Sequence, residues 1–160
     1  MTTIRVGPLQ PVHRSRVEEI VTATGVFSDD EVTVAVELLD EADYEFLGAF
    51  EGEQLVGYAC FGATPSTDRT YDLYWIAVHP DAQRAGAGAA LTMEVERELQ
   101  RRGARLLVVE TSSRSDYEPT RRFYGKRQYT EAARLRDFYA PGDDRLVLTK
   151  RLDVPSPTFA

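Results

Sequence analysis

The most constraining stretch of this chain runs from Trp75-Ile76-Ala77-Val78 through Gln83-Arg84-Ala85-Gly86-Ala87-Gly88 into Leu91, Val95 and Leu99, spaced four apart. It reads as a strand, a short glycine-bearing loop and an amphipathic helix. The first amides of such a helix have no partner within it, and the helix dipole adds partial positive charge. Glycines let a bulky anion approach the backbone closely. The junction is therefore expected to cradle a phosphate. A dinucleotide fingerprint needs a third Gly or Ala three residues after Gly88, where Leu91 stands, and it belongs on the first strand of a βαβ unit. A nucleotide-triphosphate P-loop needs Gly-Lys-Ser/Thr, which the chain lacks.

Hydrophobic period gives the order of elements around this junction. Thr3 to Val6 alternates as a short first strand, ended by Gly7-Pro8. Val12 to Thr24 has helical spacing, with Val12, Val17, Ile20 and Val21 inward and Gly25 closing it. Ser28-Asp29-Asp30-Glu31 is a capping box that opens a second helix, with Val32, Ala35, Val36 and Leu39 inward. Tyr44 to Phe50 and Leu55 to Gly62 form a hairpin around Glu51 to Gln54. Thr70 to Val78 is apolar and aromatic enough for a central strand. The helix after the glycine loop runs from Ala87 to Arg102, with Gly103 as its cap. Arg105 to Glu110 is a buried strand, Ser112 to Glu118 a polar loop, and Pro119 starts a short helix to Arg127. Tyr129 to Phe138 and Arg145 to Leu152 are the last strands, around the loop Ala140 to Asp144. The order β-α-α-β-β-β-α-β-α-β-β predicts an α/β fold: one mixed sheet with helices on its faces. Residues 1–152 are read as a single domain and the proline-bearing tail 153–160 as disordered.

Composition narrows the function classes. Net charge is −7 over 160 residues, against nucleic acid as a partner and in favour of a cationic one. Cys60 is the sole cysteine, which suits a reducing compartment and a small core residue. No apolar run reaches the roughly 20 residues of a membrane span, and Met1 to Gln10 has no apolar signal region. A cytoplasmic protein away from membranes is expected. His13, His79 and Cys60 have no partners at metal spacing, so no metal is expected; His79 reads as a strand-end residue.

Two motifs carry a resemblance. Gln83-x-x-Gly86-x-Gly88 follows Ile76-Ala77-Val78-His79-Pro80, and Phe123-Tyr124 precedes the last strands. In that order and on those elements, the chain resembles the GCN5-related N-acetyltransferase (GNAT) superfamily over roughly residues 4–152. The family usually continues from its tyrosine to a Gly-Phe pair, where Gln128-Tyr129 stands here. The resemblance implies acetyl-CoA as cofactor and a primary amine as acceptor, on a fold whose fourth and fifth strands splay apart. It implies that the backbone of Ile76, Ala77 and Val78 holds the pantetheine arm and that Gln83, Arg84, Ala85, Gly86, Ala87, Gly88 and Ala89 hold the pyrophosphate. Thr111 and Ser112 are candidates for contact with the pantetheine or a bound water, or are ordinary loop residues.

The resemblance makes Tyr124 the general acid that protonates the departing CoA thiolate. Its phenol has a reference pKa of about 10. An amine is protonated at neutral pH and needs a base, directly or through water. Glu110 and Asp72 both qualify, by resemblance to base positions in different branches of the family, and the sequence leaves the choice open. Tyr74, on the face of Asp72, and Phe138 and Tyr139, beside Asp143 and Asp144 in the final hairpin, are candidate acceptor contacts, since aromatics beside carboxylates suit an ammonium. Arg121, Arg122, Lys126 and Arg127 on the short helix point to the CoA 3′-phosphate or to a solvated face. The expected activity is acetyl transfer to a small-molecule amine by direct attack. Alternatives are a protein acceptor, at a lysine or an N-terminal amine, and a non-catalytic acyl-CoA sensor. The open edge of the last strands suggests a homodimer.

Overall fold

The computed structural model describes residues 3–154. Residues 155–160, most of the expected tail, lie outside them. The elements are β1 (Ile4–Pro8), α1 (Arg14–Ala23), α2 (Asp29–Glu37), β2 (Glu45–Glu51), β3 (Gln54–Ala63), β4 (Thr70–Val78), α3 (Ala87–Arg101), β5 (Leu106–Ser112), α4 (Glu118–Gly125), β6 (Thr130–Ala140) and β7 (Asp143–Arg151). They follow the expected order, and the strands form one seven-stranded sheet in the order β1-β2-β3-β4-β5-β7-β6. The chain divides into two compact units.

The first unit holds the described residues up to Ala63, together with Leu73–Glu98. β1 pairs antiparallel with β2, and β2 with β3. Val17, Ile20 and Val21 of α1 and Ala35 of α2 pack with Phe50, Leu55, Tyr58 and Ala77 of the strands. Trp75 packs against this cluster, its ring centroid 4.6 Å from that of Phe27. The face of β4 that carries Leu73, Trp75 and Ala77 is thus the one turned to the core. The capping box of α2 forms as expected: Glu31 N–H donates to Ser28 Oγ at 3.2 Å, and Ser28 N–H to Glu31 Oε1 at 3.0 Å. Val12 is a correction. It is exposed in a short 3-10 turn, Pro11–His13, and α1 starts only at Arg14, because Pro11 at the turn's start and His13 Nδ1, which accepts the Gln10 N–H, hold a tighter turn there.

The second unit holds Thr64–Asp72 and the described residues from Leu99. β7 pairs antiparallel with both β5 and β6. Strand period sorts β5 and β7 into two faces. One carries Leu107, Val109, Leu146 and Leu148, all buried. The other carries Val108, Glu110 and Ser112 opposite Thr149, Val147 and Arg145. Several boundaries differ from expectation: α4 ends at Gly125, not Arg127, and β6 runs on to Ala140. β5 runs on to Ser112, and Asp143 and Asp144 are buried strand residues, not loop residues. Their partners explain this. The Ser112 hydroxyl donates to Asp143 Oδ1. The Asp144 N–H donates to Ser113 Oγ at 2.7 Å, and Asp144 O accepts from the Ser113 N–H at 3.0 Å. These bonds pull both aspartates into the ladder and shorten the connection to Pro141-Gly142.

Candidate active site

The glycine junction lies in the first unit. A six-residue 3-10 segment, Pro80–Ala85, follows β4, and its entrance is fixed by His79, whose Nδ1 accepts the Asp81 N–H at 3.2 Å. Gly86 then turns left-handed at φ +85°, and α3 begins at Ala87. An L-residue takes that conformation reluctantly. The first backbone bond of α3 runs from the Ala90 N–H to Gly86 O at 3.0 Å, so the amides of Ala87, Gly88 and Ala89 come before its ladder. A side-chain carbon added at Gly86 would meet nothing within 4 Å, so the surface there is open. Arg84 and Ala85 are exposed, and Arg84 has no ion-pair partner among the described residues. A positive helix start, an open approach and a free guanidinium fit a pyrophosphate.

Ile76, Ala77 and Val78 form the end of β4, secured where the His79 N–H donates to Val56 O at 2.8 Å. Gln83 Nε2 reaches Val78 O at 3.4 Å. Tyr74 is partly exposed and meets Tyr44 edge-on, with ring centroids 4.6 Å apart.

Tyr124 lies in the second unit, in the last turn of α4, and is only 2% exposed. Three bonds close the helix behind it. The Tyr129 N–H donates to Tyr124 O at 3.1 Å, the Gln128 N–H to Gly125 O at 3.1 Å, and the Arg127 N–H to Tyr124 O at 2.9 Å. With Gln128 at φ +72°, the first two make a Schellman cap. The hydrophobic contact that completes such a cap is Tyr124 against Tyr129, ring centroids 5.2 Å apart. Gln128 therefore takes the left-handed role that the family gives to glycine, and the turn is kept. Burial raises the Tyr124 phenol well above its ordinary pKa, with Arg127 opposing weakly. The group keeps its proton throughout the physiological range.

The candidate bases differ in their surroundings. Asp72 Oδ2 accepts from Thr64 Oγ1 at 2.7 Å. The Glu110 side chain is 44% exposed and ion-paired with Arg145. Of the two pantetheine candidates, Ser112 is committed elsewhere: its hydroxyl donates to Asp143, accepts the Arg114 N–H at 3.1 Å, and its carbonyl accepts Arg121 Nη1 at 2.7 Å. Thr111 is buried, and its Oγ1 has no partner among the described residues. Phe138 and Tyr139 are exposed at the β6–β7 hairpin, perpendicular to each other at 5.0 Å. Asp143 and Asp144, expected beside them in the hairpin, are bonded to Ser112 and to Arg134.

Just past α4, Arg127 stacks 3.7 Å over the Phe123 ring, and Pro119, Arg122, Phe123, Lys126 and Arg127 line a shallow hollow of about 360 Å³. Cys60 is fully buried, its thiol pushed up to about 12 by burial, so it is inert in the core. Among the described residues no group of His, Cys, Asp or Glu is placed to hold a metal ion, and no helix is long and apolar enough to cross a membrane. Arg145, which holds Glu110, was missed from sequence. The available signal was an arginine directly before the apolar run Leu146-Val147-Leu148, and it does not reveal the register.

The sequence profile of the acetyltransferase (GNAT) family matches residues 14–129, which include both the glycine loop and Tyr124. The chain belongs to the GNAT family of acetyltransferases. A GNAT-family protein from Desulfovibrio desulfuricans is 41% identical, with a TM-score of 0.86 over 95% of this chain and 99% of that one. The ribosomal-protein-S18-alanine N-acetyltransferase from Escherichia coli is 20% identical, with a TM-score of 0.80 over 99% of each chain. An aminoglycoside 6′-N-acetyltransferase solved with coenzyme A is 18% identical, with a TM-score of 0.74 over 96% of this chain and 99% of that one. Among curated proteins no sequence match is found. This GNAT protein is thus an N-acetyltransferase whose cosubstrate is acetyl-CoA.

Proposed function

We propose that this acetyltransferase moves the acetyl group of acetyl-CoA directly onto the primary amine of a small molecule, with both substrates bound together. The amides at the start of α3 and the guanidinium of Arg84 take the pyrophosphate, and the backbone of Ile76, Ala77 and Val78 takes the pantetheine arm. Thr111, whose buried hydroxyl has no partner among the described residues, supplies a further contact to that arm. The backbone amide near Val78 polarises the thioester carbonyl. The amine nitrogen attacks the carbonyl carbon, the N–C bond forms and the C–S bond breaks. Glu110, or Asp72 in its place, receives the ammonium proton through water, and Tyr124 gives its proton to the thiolate.

The observation that carries this reading is Tyr124: a phenol, protonated at neutral pH as tyrosines are, on the helix turn that the Schellman cap fixes. A group that must donate a proton needs to hold one at working pH. We expect Tyr124→Phe to lower kcat by about 10- to 1000-fold and to leave acetyl-CoA affinity within a factor of two. Steady-state turnover assays and calorimetric titration with CoA measure the two quantities. An unchanged kcat removes Tyr124 from the reaction.

The small-molecule acceptor rests on Phe138 and Tyr139, two exposed rings on one hairpin, which suit a compact organic ammonium. The likeness to the S18-alanine enzyme favours a protein N-terminus as the second reading. A thiol-release assay decides between them. Polyamines, aminoglycosides and amino-acid amines form one panel; peptides with free N-termini or lysines form the other. Turnover confined to the peptide panel overturns the small-molecule reading.

A further inference from the structure

We propose that Arg145 is a positioning residue for the transfer reaction, holding the Glu110 carboxylate so that one of its oxygens stays free to receive a proton. The inference rests on the reading of Glu110 as the base.

Register brings the two residues together. Glu110 faces Val147 across β5 and β7, and Ser112 faces Arg145. Glu110 and Arg145 are therefore diagonal neighbours on one face of the sheet, within reach of each other's long side chains. Arg145 Nη2 donates to Glu110 Oε1. That is the one bond the Glu110 side chain makes among the described residues, so Oε2 is left without a partner. The guanidinium is fixed from its other side by the Phe138 ring, 5.0 Å from its centre. Phe138 in turn abuts Tyr139. Ring, guanidinium and carboxylate form one stack running from the final hairpin to the end of β5.

An ordinary surface ion pair does not account for this arrangement. Exposed pairs contribute little to stability because water screens them and two flexible side chains must be ordered. The Arg145 side chain is only 27% exposed, and its Nε is buried with no acceptor among the described residues. An orphaned buried donor costs the fold more than an exposed pair returns. A residue kept at a net cost to stability, with its charge aimed at one oxygen of a half-exposed carboxylate, is explained by what it does to that carboxylate. It restricts the rotamers of Glu110, so that Oε2 presents a fixed site for a water that relays the ammonium proton. The contact is a single one, so a lysine can reproduce most of it.

The test is a double-mutant cycle on the full chain, reading kcat, the KM for acetyl-CoA and the thermal midpoint. Glu110→Gln is expected to lower kcat about 100-fold or more. Arg145→Met is expected to lower it roughly tenfold, with the KM for acetyl-CoA within a factor of two, and Arg145→Lys to restore most of the loss. In the Glu110→Gln background, Arg145→Met is expected to do nothing further, because residues acting as one unit are not additive. If Arg145→Met lowers kcat by the same factor in both backgrounds, its effect is general and the positioning role is overturned. The role is equally overturned if Glu110→Gln is impaired while Arg145→Met is fully active. If Glu110→Gln keeps full kcat, the base reading itself fails and the proposal falls with it, a distinct outcome.

Discussion

Gln128 and Gly86 sit in the same left-handed region of backbone space, at φ +72° and +85°, for different reasons. Gly86 precedes the helix whose amides are proposed to receive the phosphate, and glycine takes its conformation without strain. Gln128 bears the steric cost of a side chain at the cap behind Tyr124. Gln128→Gly is therefore expected to raise stability by about 0.5–1 kcal/mol, as a shift in the urea midpoint with kcat unchanged. Gly86→Val makes the opposite point. The added side chain meets no neighbour, so its effect comes from the backbone alone, and the helix start must re-aim. We expect its KM for acetyl-CoA to rise about tenfold, measured beside an unchanged KM for the amine. At this scale much was legible. The left-handed turn at Gly86 is readable because local backbone chemistry dictates it, whereas Tyr124 was singled out by the resemblance of Phe123-Tyr124 to the family's pair. The partners of Ser112, Asp143 and Glu110 were not, because those residues meet across strands some 30 positions apart in the chain.

β4 depends on a neighbour that has no side chain. A carbon added at Gly57 of β3 would lie 3.1 Å from Ala77 O and 3.1 Å from the Val78 side chain. Gly57 thus sets how closely the end of β4 approaches β3, and that end is the proposed seat of the pantetheine arm. Gly57→Val is expected to cost about 1–3 kcal/mol of stability and to weaken CoA binding; calorimetry on the folded fraction separates the two effects. Element types and order were legible throughout, since periods of two and of 3.6 differ plainly along the chain. The misplaced boundaries share one cause. Val12, Ser112, Asp143 and Asp144 all lie where hydrogen bonds that the local pattern does not show decide the structure. Pairing register is a property of two strands together and is written in neither alone.

For the molecule as a whole, acid stability depends on buried and bonded carboxylates. The Asp137 N–H, followed by the Arg134 guanidinium, holds the Asp144 carboxyl below the usual carboxylate range. Its folded pKa is lower than its unfolded one, so its stabilisation is complete above about pH 4 and is lost as pH falls through the folded value. Urea midpoints are expected to drop below pH 4, and to drop less steeply in Asp144→Asn; parallel curves for the two proteins would assign the acid sensitivity elsewhere. The same hairpin has one further consequence. β6 is the outer strand of the sheet, and its register with β7 breaks twice, between Glu131 and Ala133 and between Leu135 and Ala140. Only Ala133, Arg134 and Leu135 form an unbroken run between the two breaks. A cross-β fibril needs about six or seven residues of repeating, in-register backbone. The irregular border interrupts that template in the folded chain, a feature that disfavours edge-to-edge pairing of the outer strand.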